Sequence, residues 1–160
     1  MRPIHALPLL ALMLAAGAPR VAAQGVDTTA VKAAIAATRD SYMRLYAAGD
    51  ASGLAGHYAT NAVVDLFGAP RMKGRAQIEA GIKAGFGMQK PVSLQINPVR
   101  TLPASGSLAS EIGTYHQTDN ANGKTVHTWG RFVISIGKDS TGAWRLNYLM
   151  SFPDSTRTDK

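Results

Sequence analysis

Cysteine is absent from this 160-residue chain, and so are the common catalytic signatures. The lack of cysteine excludes disulfide bonds, thiolate metal sites and a lipid-modified cysteine. The chain also has no Gly-x-Ser-x-Gly elbow, no phosphate-binding glycine loop and no His-Glu-x-x-His helix. The sequence therefore gives no support for a hydrolase, a kinase or a nucleotide-binding protein, and stability has to come from packing.

A concentrated basic face is missing as well, although the formal charge is +7. The basic residues are scattered singly, apart from the group Arg71, Lys73 and Arg75. Nucleic-acid binding requires a clustered basic surface. We therefore expect no nucleic-acid partner.

The first 23 residues have the pattern of a secretory signal peptide. A basic start is followed by an apolar run over residues 6–18, and small residues then lead to Ala23. The run is shorter than the roughly 20 apolar residues that span a bilayer. We expect cleavage after Ala23, a periplasmic or secreted protein that begins at Gln24, and no stable membrane insertion afterwards.

Hydrophobic spacing predicts three helices in the first half of the mature chain. The first begins after Asp27 and has Lys32, Arg39 and Arg44 off its apolar stripe, which consists of Val31, Ile35, Thr38, Tyr42 and Leu45. The second is short, starts after Asp50, and carries Leu54 and Tyr58 before ending near Asn61. After a brief strand over residues 63–67, the third carries Ile78, Ile82 and Phe86.

From Pro91 onward the apolar period changes to two, which predicts about four strands. Pro98 and Pro103 indicate an edge strand or a bulge in the first of them, and the next covers about residues 108–118. Asn122-Gly123 predicts a hairpin turn before a strand over 125–136, and the last strand runs from 144 to 152. The order predicts a single α+β domain over residues 24–153, with helices on one face of a mostly antiparallel sheet, and a flexible tail at 154–160.

Several segments resemble the nuclear-transport-factor-2-like superfamily, in its SnoaL-like and calcium/calmodulin-kinase-II association-domain-like branches. The resemblance lies in the stretches Tyr42–Asp50, Tyr58–Val64, Lys73–Ile78, Ala109–Tyr115 and Gly142–Leu146. It covers nearly all of the mature chain in the right order. It implies a cone-shaped half-barrel in which three N-terminal helices pack on a curved sheet around a small-molecule pocket.

Ketosteroid isomerase, a member of that superfamily, works through a carboxylate base and an oxyanion hole made by a tyrosine and a protonated aspartate. The resemblance places Tyr42 at the oxyanion tyrosine and Leu66 at the base, with Asp65 on the other side of the strand, and the second acid falls within residues 132–134. Two of the three catalytic parts are thus missing. Tyr42 is alternatively a core aromatic residue whose hydroxyl finds a partner at the pocket rim.

The hairpin turn pairs each odd-numbered residue of one strand with an even-numbered residue of the next. Side chains of paired residues lie on the same face of the sheet, so the two strands divide into two faces. The more apolar face should point to the helices and the pocket; it carries Ala109, Glu111, Gly113, Tyr115, Val126, Thr128, Gly130, Phe132, Ile134 and Ile136. Glu111 is its only charge. Unpaired and desolvated, Glu111 could serve as an acid or base, and Glu111→Gln would then stabilise the protein; alternatively it pairs with an arginine or reaches water.

The opposite face carries His116, His127, Trp129 and Arg131, with the two histidines opposite each other or one diagonal step apart. Two imidazoles and a carboxylate would suit zinc, but no third ligand is evident, so we expect no metal site. An aromatic residue among polar neighbours is typical of interfaces. We therefore expect a homodimer through this face.

Three functional hypotheses follow, none of which requires a cofactor. The first is an exported binding or accessory domain with a largely apolar pocket, lined by Tyr42, Glu111, Tyr115, Phe132 and Tyr148. The second is an isomerase, lyase or cyclase in which Glu111 or Asp65 is the base and Tyr42 donates a hydrogen bond. The third is a structural homodimer with a filled core. A free carboxylate in a cavity favours the second, a carboxylate paired with arginine the first, and the absence of a cavity the third.

Overall fold

The computed structural model describes residues 26–159, so the expected signal peptide lies outside the described residues. The helices are α1 (Thr28–Ala47), α2 (Ala51–Gly56) and α3 (Arg75–Met88). The strands are β1 (Tyr58–Leu66), β2 (Met72–Lys73), β3 (Lys90–Ser105), β4 (Leu108–Ala121), β5 (Lys124–Lys138) and β6 (Trp144–Thr158). Within 26–159, no helix combines the length and the apolar character needed to cross a membrane.

The six strands form one curved, unclosed sheet in the order β2-β1-β6-β5-β4-β3. β1 pairs in parallel with β6, and every other neighbouring pair is antiparallel. The three helices pack on one side of this sheet, which confirms the predicted α+β half-barrel. Such a sheet can hold a cavity between its concave side and the helices.

Side-chain caps start the first two helices where the sequence predicts. The Asp27 carboxylate accepts hydrogen bonds from the backbone of Thr29 and Ala30, and the Asp50 carboxylate accepts one from Gly53. The predicted end of the second helix is wrong, because α2 stops at Gly56 and Tyr58 already belongs to β1. The pairing of β1 with β6 begins with Tyr58 opposite Leu146, so Tyr58 is part of the sheet and not of the helix.

The prolines of β3 are accommodated as predicted. β3 is the last strand of the sheet, and its pairing with β4 shifts register at Pro91, Pro98 and Pro103. A proline cannot donate to a neighbouring strand, so an edge position and bulges are where it is tolerated. Both alternatives for this strand, an edge and a bulge, are found together.

The β4–β5 hairpin turns at Asn122 and Gly123, both of which have positive φ angles, 53° and 77°. Glu111 lies opposite Ile134, so the predicted division into two faces holds along both strands. The side of the sheet that faces the helices is the predicted apolar one. The opposite side, with His116 and Trp129, is called the outer face below.

The C-terminal segment is a strand, which corrects the expected flexible tail at 154–160 as far as the structure describes it. β6 continues to Thr158, opposite Val126, and the chain passes Pro153 at a shift in register. The cause is the length of β5, which leaves a long free edge for the segment to pair with. An ion pair between Asp154 and Arg131, 2.7 Å, adds a cross-strand contact.

Within the described residues, the core consists of two buried clusters. One consists of Val31, Ile35, Ala109, Ile136 and Trp144. The other consists of Tyr58, Ala62, Val64, Ile78 and Leu146. Members of both clusters line the cavity described next, which therefore lies between them.

Candidate functional site

A cavity of about 230 Å³ lies between α1, α3 and the concave side of the sheet. Most of its wall is apolar: Ile35, Val64, Leu66, Met72, Ile78, Ile82, Leu94, Ile96, Phe132, Ile134, Ile136, Leu146 and Leu149. Its polar wall residues are Thr38, Arg39, Tyr42, Tyr46, Tyr58, Glu111, Tyr115, Gln117 and Ser151. An apolar pocket with a few polar groups is typical of small-molecule sites.

Two aromatic side chains of the sheet lie across glycines on the neighbouring strand. Phe132 is opposite Gly113 and Tyr115 is opposite Gly130. A Cβ at Gly113 would lie 2.8 Å from the Phe132 ring, and one at Gly130 would lie 2.5 Å from the Tyr115 ring. Both glycines are therefore needed for these rings to form the cavity wall.

Tyr42 points into the cavity and shares a hydrogen bond of 2.9 Å with the hydroxyl of Tyr58. Burial raises the pKa of Tyr42, and burial together with Tyr42 raises the pKa of Tyr58 well above its ordinary value. Both phenols stay protonated near neutral pH. One proton joins the two oxygens, so the pair can donate one further hydrogen bond but cannot act as a base.

Glu111 lies at the cavity wall, 1% exposed, and its carboxylate is paired. Nη1 of Arg39 donates to both carboxylate oxygens, at 3.0 and 2.9 Å, and the Thr101 hydroxyl donates at 2.6 Å. Of the alternatives left open by the sequence, the structure thus shows the arginine pair. These three contacts occupy most of the roughly four positions at which a carboxylate accepts hydrogen bonds.

Arg39 is the partner that the sequence reasoning missed. Its charge placed it off the apolar stripe of α1, yet it lies one turn after Ile35 and just before Tyr42 on the same side of the helix. That spacing is a signal that could have located it. Its side chain is only 16% exposed and lies in the cavity wall.

The structure places Asp65 and Tyr148 outside the cavity, which corrects their assignment to the site. The Tyr148 hydroxyl donates to Asp65 at 2.8 Å, and Arg71 donates to both oxygens of that carboxylate, at 2.7 and 2.8 Å. These hydrogen bonds hold the pKa of Asp65 below its ordinary value, and the bond from Arg71 has the largest effect. A charged, paired carboxylate on the outer side is no base for a ligand in the cavity.

A β-bulge explains why Tyr148 turns away. Ile136 pairs with Leu146 but Ser135 pairs with Tyr148, so Asn147 is an extra residue in β6. A bulge reverses which side the following side chains face. Leu149 therefore lines the cavity in place of Tyr148.

A second chamber, about 330 Å³, adjoins the cavity beside α3. Asp119 lies in its wall, 2% exposed, and accepts a very short hydrogen bond from Tyr46 and one of 2.6 Å from Gln117. The predicted strand ends at residue 118, before Asp119, and its predicted cavity face ends at Tyr115, before Gln117. Continuing the same alternation from Tyr115 would have placed Gln117 and Asp119 on the cavity side.

His57, the residue after α2, is half-buried. Its Nε2 lies 3.2 Å from the Ser41 hydroxyl, and its Nδ1 is buried without a hydrogen-bond partner. Burial, and then the nearby Arg145, lower the pKa of His57. The neutral imidazole ring packs edge-on against the Tyr42 ring, with centroids 5.9 Å apart.

On the outer face, the two histidines lie one diagonal step apart and approach each other. His116 Nε2 is 3.2 Å from His127 Nδ1, and the His116 ring stacks on Trp129 at 4.6 Å. Over residues 26–159, no group of three His, Cys, Asp or Glu side chains is arranged to hold a metal ion. The cluster is an aromatic, polar patch.

Comparison with known proteins gives one family match. The model of a family described as the SnoaL-like domain matches residues 27–149. No curated protein matches the chain.

Solved structures resemble the chain in fold at low sequence identity. A type 2 hexachlorocyclohexane dehydrochlorinase has a TM-score of 0.73 at 14% identity, over 82% of this chain and 90% of that one. A putative scytalone dehydratase from Novosphingobium aromaticivorans has a TM-score of 0.70 at 11% identity, over 82% and 89%. A ketosteroid isomerase-like protein from Erwinia carotovora atroseptica has a TM-score of 0.69 at 16% identity, over 77% and 95%. At these identities the likeness shows the fold alone.

Proposed function

Because the chain belongs to the SnoaL-like domain family, we propose that it is a small-molecule-binding or accessory domain whose ligand occupies the largely apolar cavity. A cavity of about 230 Å³ with an apolar wall supports this proposal and counts against a structural module with a filled core. An apolar cavity of about 150 Å³ accommodates benzene. We therefore propose a ligand with one or two rings, or an aliphatic body of that size.

The observation that carries binding over catalysis is the state of the carboxylates. Glu111 is held by Arg39 and Thr101, and Asp119 is held by Tyr46 and Gln117. A general base needs a free lone pair within reach of the substrate proton. Glu111 has three of its roughly four acceptor positions occupied and is paired with a cation, and Asp119 lies in the wall of the second chamber and not of the main cavity.

The isomerase, lyase or cyclase hypothesis loses support for the same reason. Of its two candidate bases, Glu111 is paired and Asp65 lies outside the cavity. The Tyr42–Tyr58 pair keeps one hydrogen-bond donor for the cavity, and the dehydrochlorinase and dehydratase among the structural neighbours are enzymes by name. A donor alone polarises a ligand but removes no proton from carbon.

A cavity-filling variant tests the binding proposal. Ile134→Phe adds volume to the cavity wall, whereas Ile112→Phe makes the same change on the outer face, where Ile112 is 39% exposed. Isothermal titration with naphthalene and indole should show binding that Ile134→Phe weakens at least tenfold and Ile112→Phe leaves unchanged. Equal affinity in both variants would contradict the proposal.

We also propose that the protein is exported, with residues 1–23 removed. The support is the sequence pattern alone: a basic start, an apolar run over residues 6–18 and small residues before Ala23. N-terminal sequencing of the protein from the external fraction should begin at Gln24. Protein that still begins at Met1 in that fraction would refute the proposal.

A homodimer through the outer face is the third part of the proposal. The patch of His116, His127 and Trp129 is continuous, and Arg157 lies over the Trp129 ring at 5.7 Å. Aromatic residues and arginine are enriched at interfaces. Sedimentation equilibrium should show a dimer that Trp129→Ala weakens and Phe67→Ala, at a 73% exposed position off this patch, does not. A strictly monomeric mass at high concentration would exclude the dimer.

A further inference from the structure

Asp119 is a buried carboxylate that forms no ion pair with any basic residue in the described part of the chain. It is 2% exposed, and its two hydrogen-bond donors, Tyr46 and Gln117, are both neutral. None of the ion pairs among residues 26–159 includes it. Burying a carboxylate without a positive partner is unfavourable, so this arrangement requires an explanation.

The other carboxylates of the domain differ from Asp119 in their partners or in their exposure. Each of the others that is withdrawn from solvent has a basic partner: Asp65 with Arg71, Glu79 with Lys83, Glu111 with Arg39, and Asp139 with Arg145. Within 26–159, acidic residues that lack such a partner are exposed, namely Asp27, Asp40 and Asp50. Asp119 is the exception to this division.

The position of Asp119 makes it available to a ligand. It lines the second chamber, whose wall shares Tyr42, Tyr46, Leu66, Met72, Ile82 and Gln117 with the main cavity. The two spaces are therefore neighbours, and one molecule can extend from one into the other. A carboxylate offers about four acceptor positions, and the two donors to Asp119 fill two of them.

The chamber around Asp119 is otherwise apolar and aromatic. Phe86 packs edge-on against Tyr46, with ring centroids 5.5 Å apart, and Met88 and Ile82 complete that side. Burial, and then the adjacent Asp119, raise the pKa of Tyr46, so the phenol keeps its proton and remains a donor. A carboxylate beside aromatic rings is a suitable environment for an organic cation, which gains from both.

We infer that the second chamber binds the ammonium group of a hydrophobic amine, with Asp119 as its counterion. The apolar body of the amine then occupies the main cavity, and Tyr46 and Phe86 lie beside the charged end. This inference rests on the proposed function and names the chemical class of its ligand. A protonated amine supplies the positive partner that residues 26–159 do not provide for Asp119.

Two probes of the same shape test the inference. Isothermal titration of the protein at pH 7 compares 3-phenylpropylamine, which is charged, with 3-phenylpropan-1-ol, which is neutral. The amine should bind at least tenfold more tightly, a difference of about 1.4 kcal/mol. Asp119→Asn should abolish the preference while leaving the affinity for the alcohol within about threefold. The control Asp154→Asn removes an exposed carboxylate on the outer face and should leave the preference intact.

The outcomes distinguish a failure of the amine inference from a failure of the binding proposal. Equal affinity of the wild-type protein for both probes overturns the amine inference and leaves the binding proposal standing, and this comparison needs no variant to fold. A preference that persists in folded Asp119→Asn also overturns the inference. If neither probe binds, the inference and the proposed function both fail.

Discussion

Replacing Glu111 with glutamine tests the buried ion pair at the cavity wall. Glu111 is 1% exposed and the Arg39 side chain 16%, so both groups are withdrawn from water. Removing one partner of a buried ion pair costs about 3–5 kcal/mol, because the other charge is left without a partner. Glutamine keeps one oxygen that can accept from Arg39 or Thr101, and the cavity gives the guanidinium some access to water.

We therefore expect Glu111→Gln to lower the free energy of unfolding by about 2 kcal/mol. For a domain of this size, that loss corresponds to a fall of about 8 °C in the melting temperature. Urea unfolding followed by circular dichroism at pH 7 gives the free energy directly. As a control, Asp154→Asn changes an exposed pair and should cost no more than about 1 kcal/mol.

A double-mutant cycle with Arg39→Met separates the pair from its surroundings. If the two side chains stabilise each other, the double variant should lose about 1–3 kcal/mol less than the sum of the single variants. A Glu111→Gln protein that is more stable than the wild type would refute this reasoning. That result would show a carboxylate held in the cavity at a cost to stability, as expected of a catalytic group.

Three further predictions concern other parts of the domain. Hydrogen bonds, of which that from the Thr141 hydroxyl has the largest effect, hold the pKa of Asp139 below its ordinary value, so the charge of Asp139 stabilises the folded state above about pH 4. The wild type should therefore unfold at a higher urea concentration than Asp139→Asn near neutral pH, and this difference should disappear as the pH falls below that value. Tyr58→Phe removes one of two bonded buried hydroxyls and should lower the free energy of unfolding in urea by about 1 kcal/mol, whereas no loss would mean that the Tyr42 hydroxyl readily finds another hydrogen-bond partner. Gly130→Ala brings a Cβ within 2.5 Å of a tyrosine ring and should cost about 1–3 kcal/mol, while Gly106→Ala, in open space, should be neutral; equal stabilities would contradict the described packing.

The division of the sheet into faces was accessible from the sequence. Side chains of a strand alternate with a period of two, and the Asn122-Gly123 turn sets the register of β4 against β5. These two local facts place Glu111 on the cavity side and His116 on the outer face. Neither requires knowledge of the rest of the chain.

Two of the errors lie in β6, one at its bulge and one at its C-terminal end. The bulge at Asn147 turns Tyr148 outward and Leu149 inward, and no local signal in that stretch announces it. The same strand continues to Thr158 because β5 is long enough to pair with it. Strand length and bulges depend on the neighbouring strand, which lies elsewhere in the sequence.

The α+β class, the family, the side of the sheet on which Glu111 lies and the order of helices and strands, apart from the unpredicted β2, could thus be predicted from the sequence. Which charges meet on that side depends on the tertiary structure. Arg39 and Glu111 are 72 positions apart, and Tyr46 and Asp119 are 73 apart, so their contacts exist only after α1 packs on the sheet. Periodicity is a property of neighbouring residues, whereas a paired or unpaired carboxylate is a property of two distant segments brought together by packing.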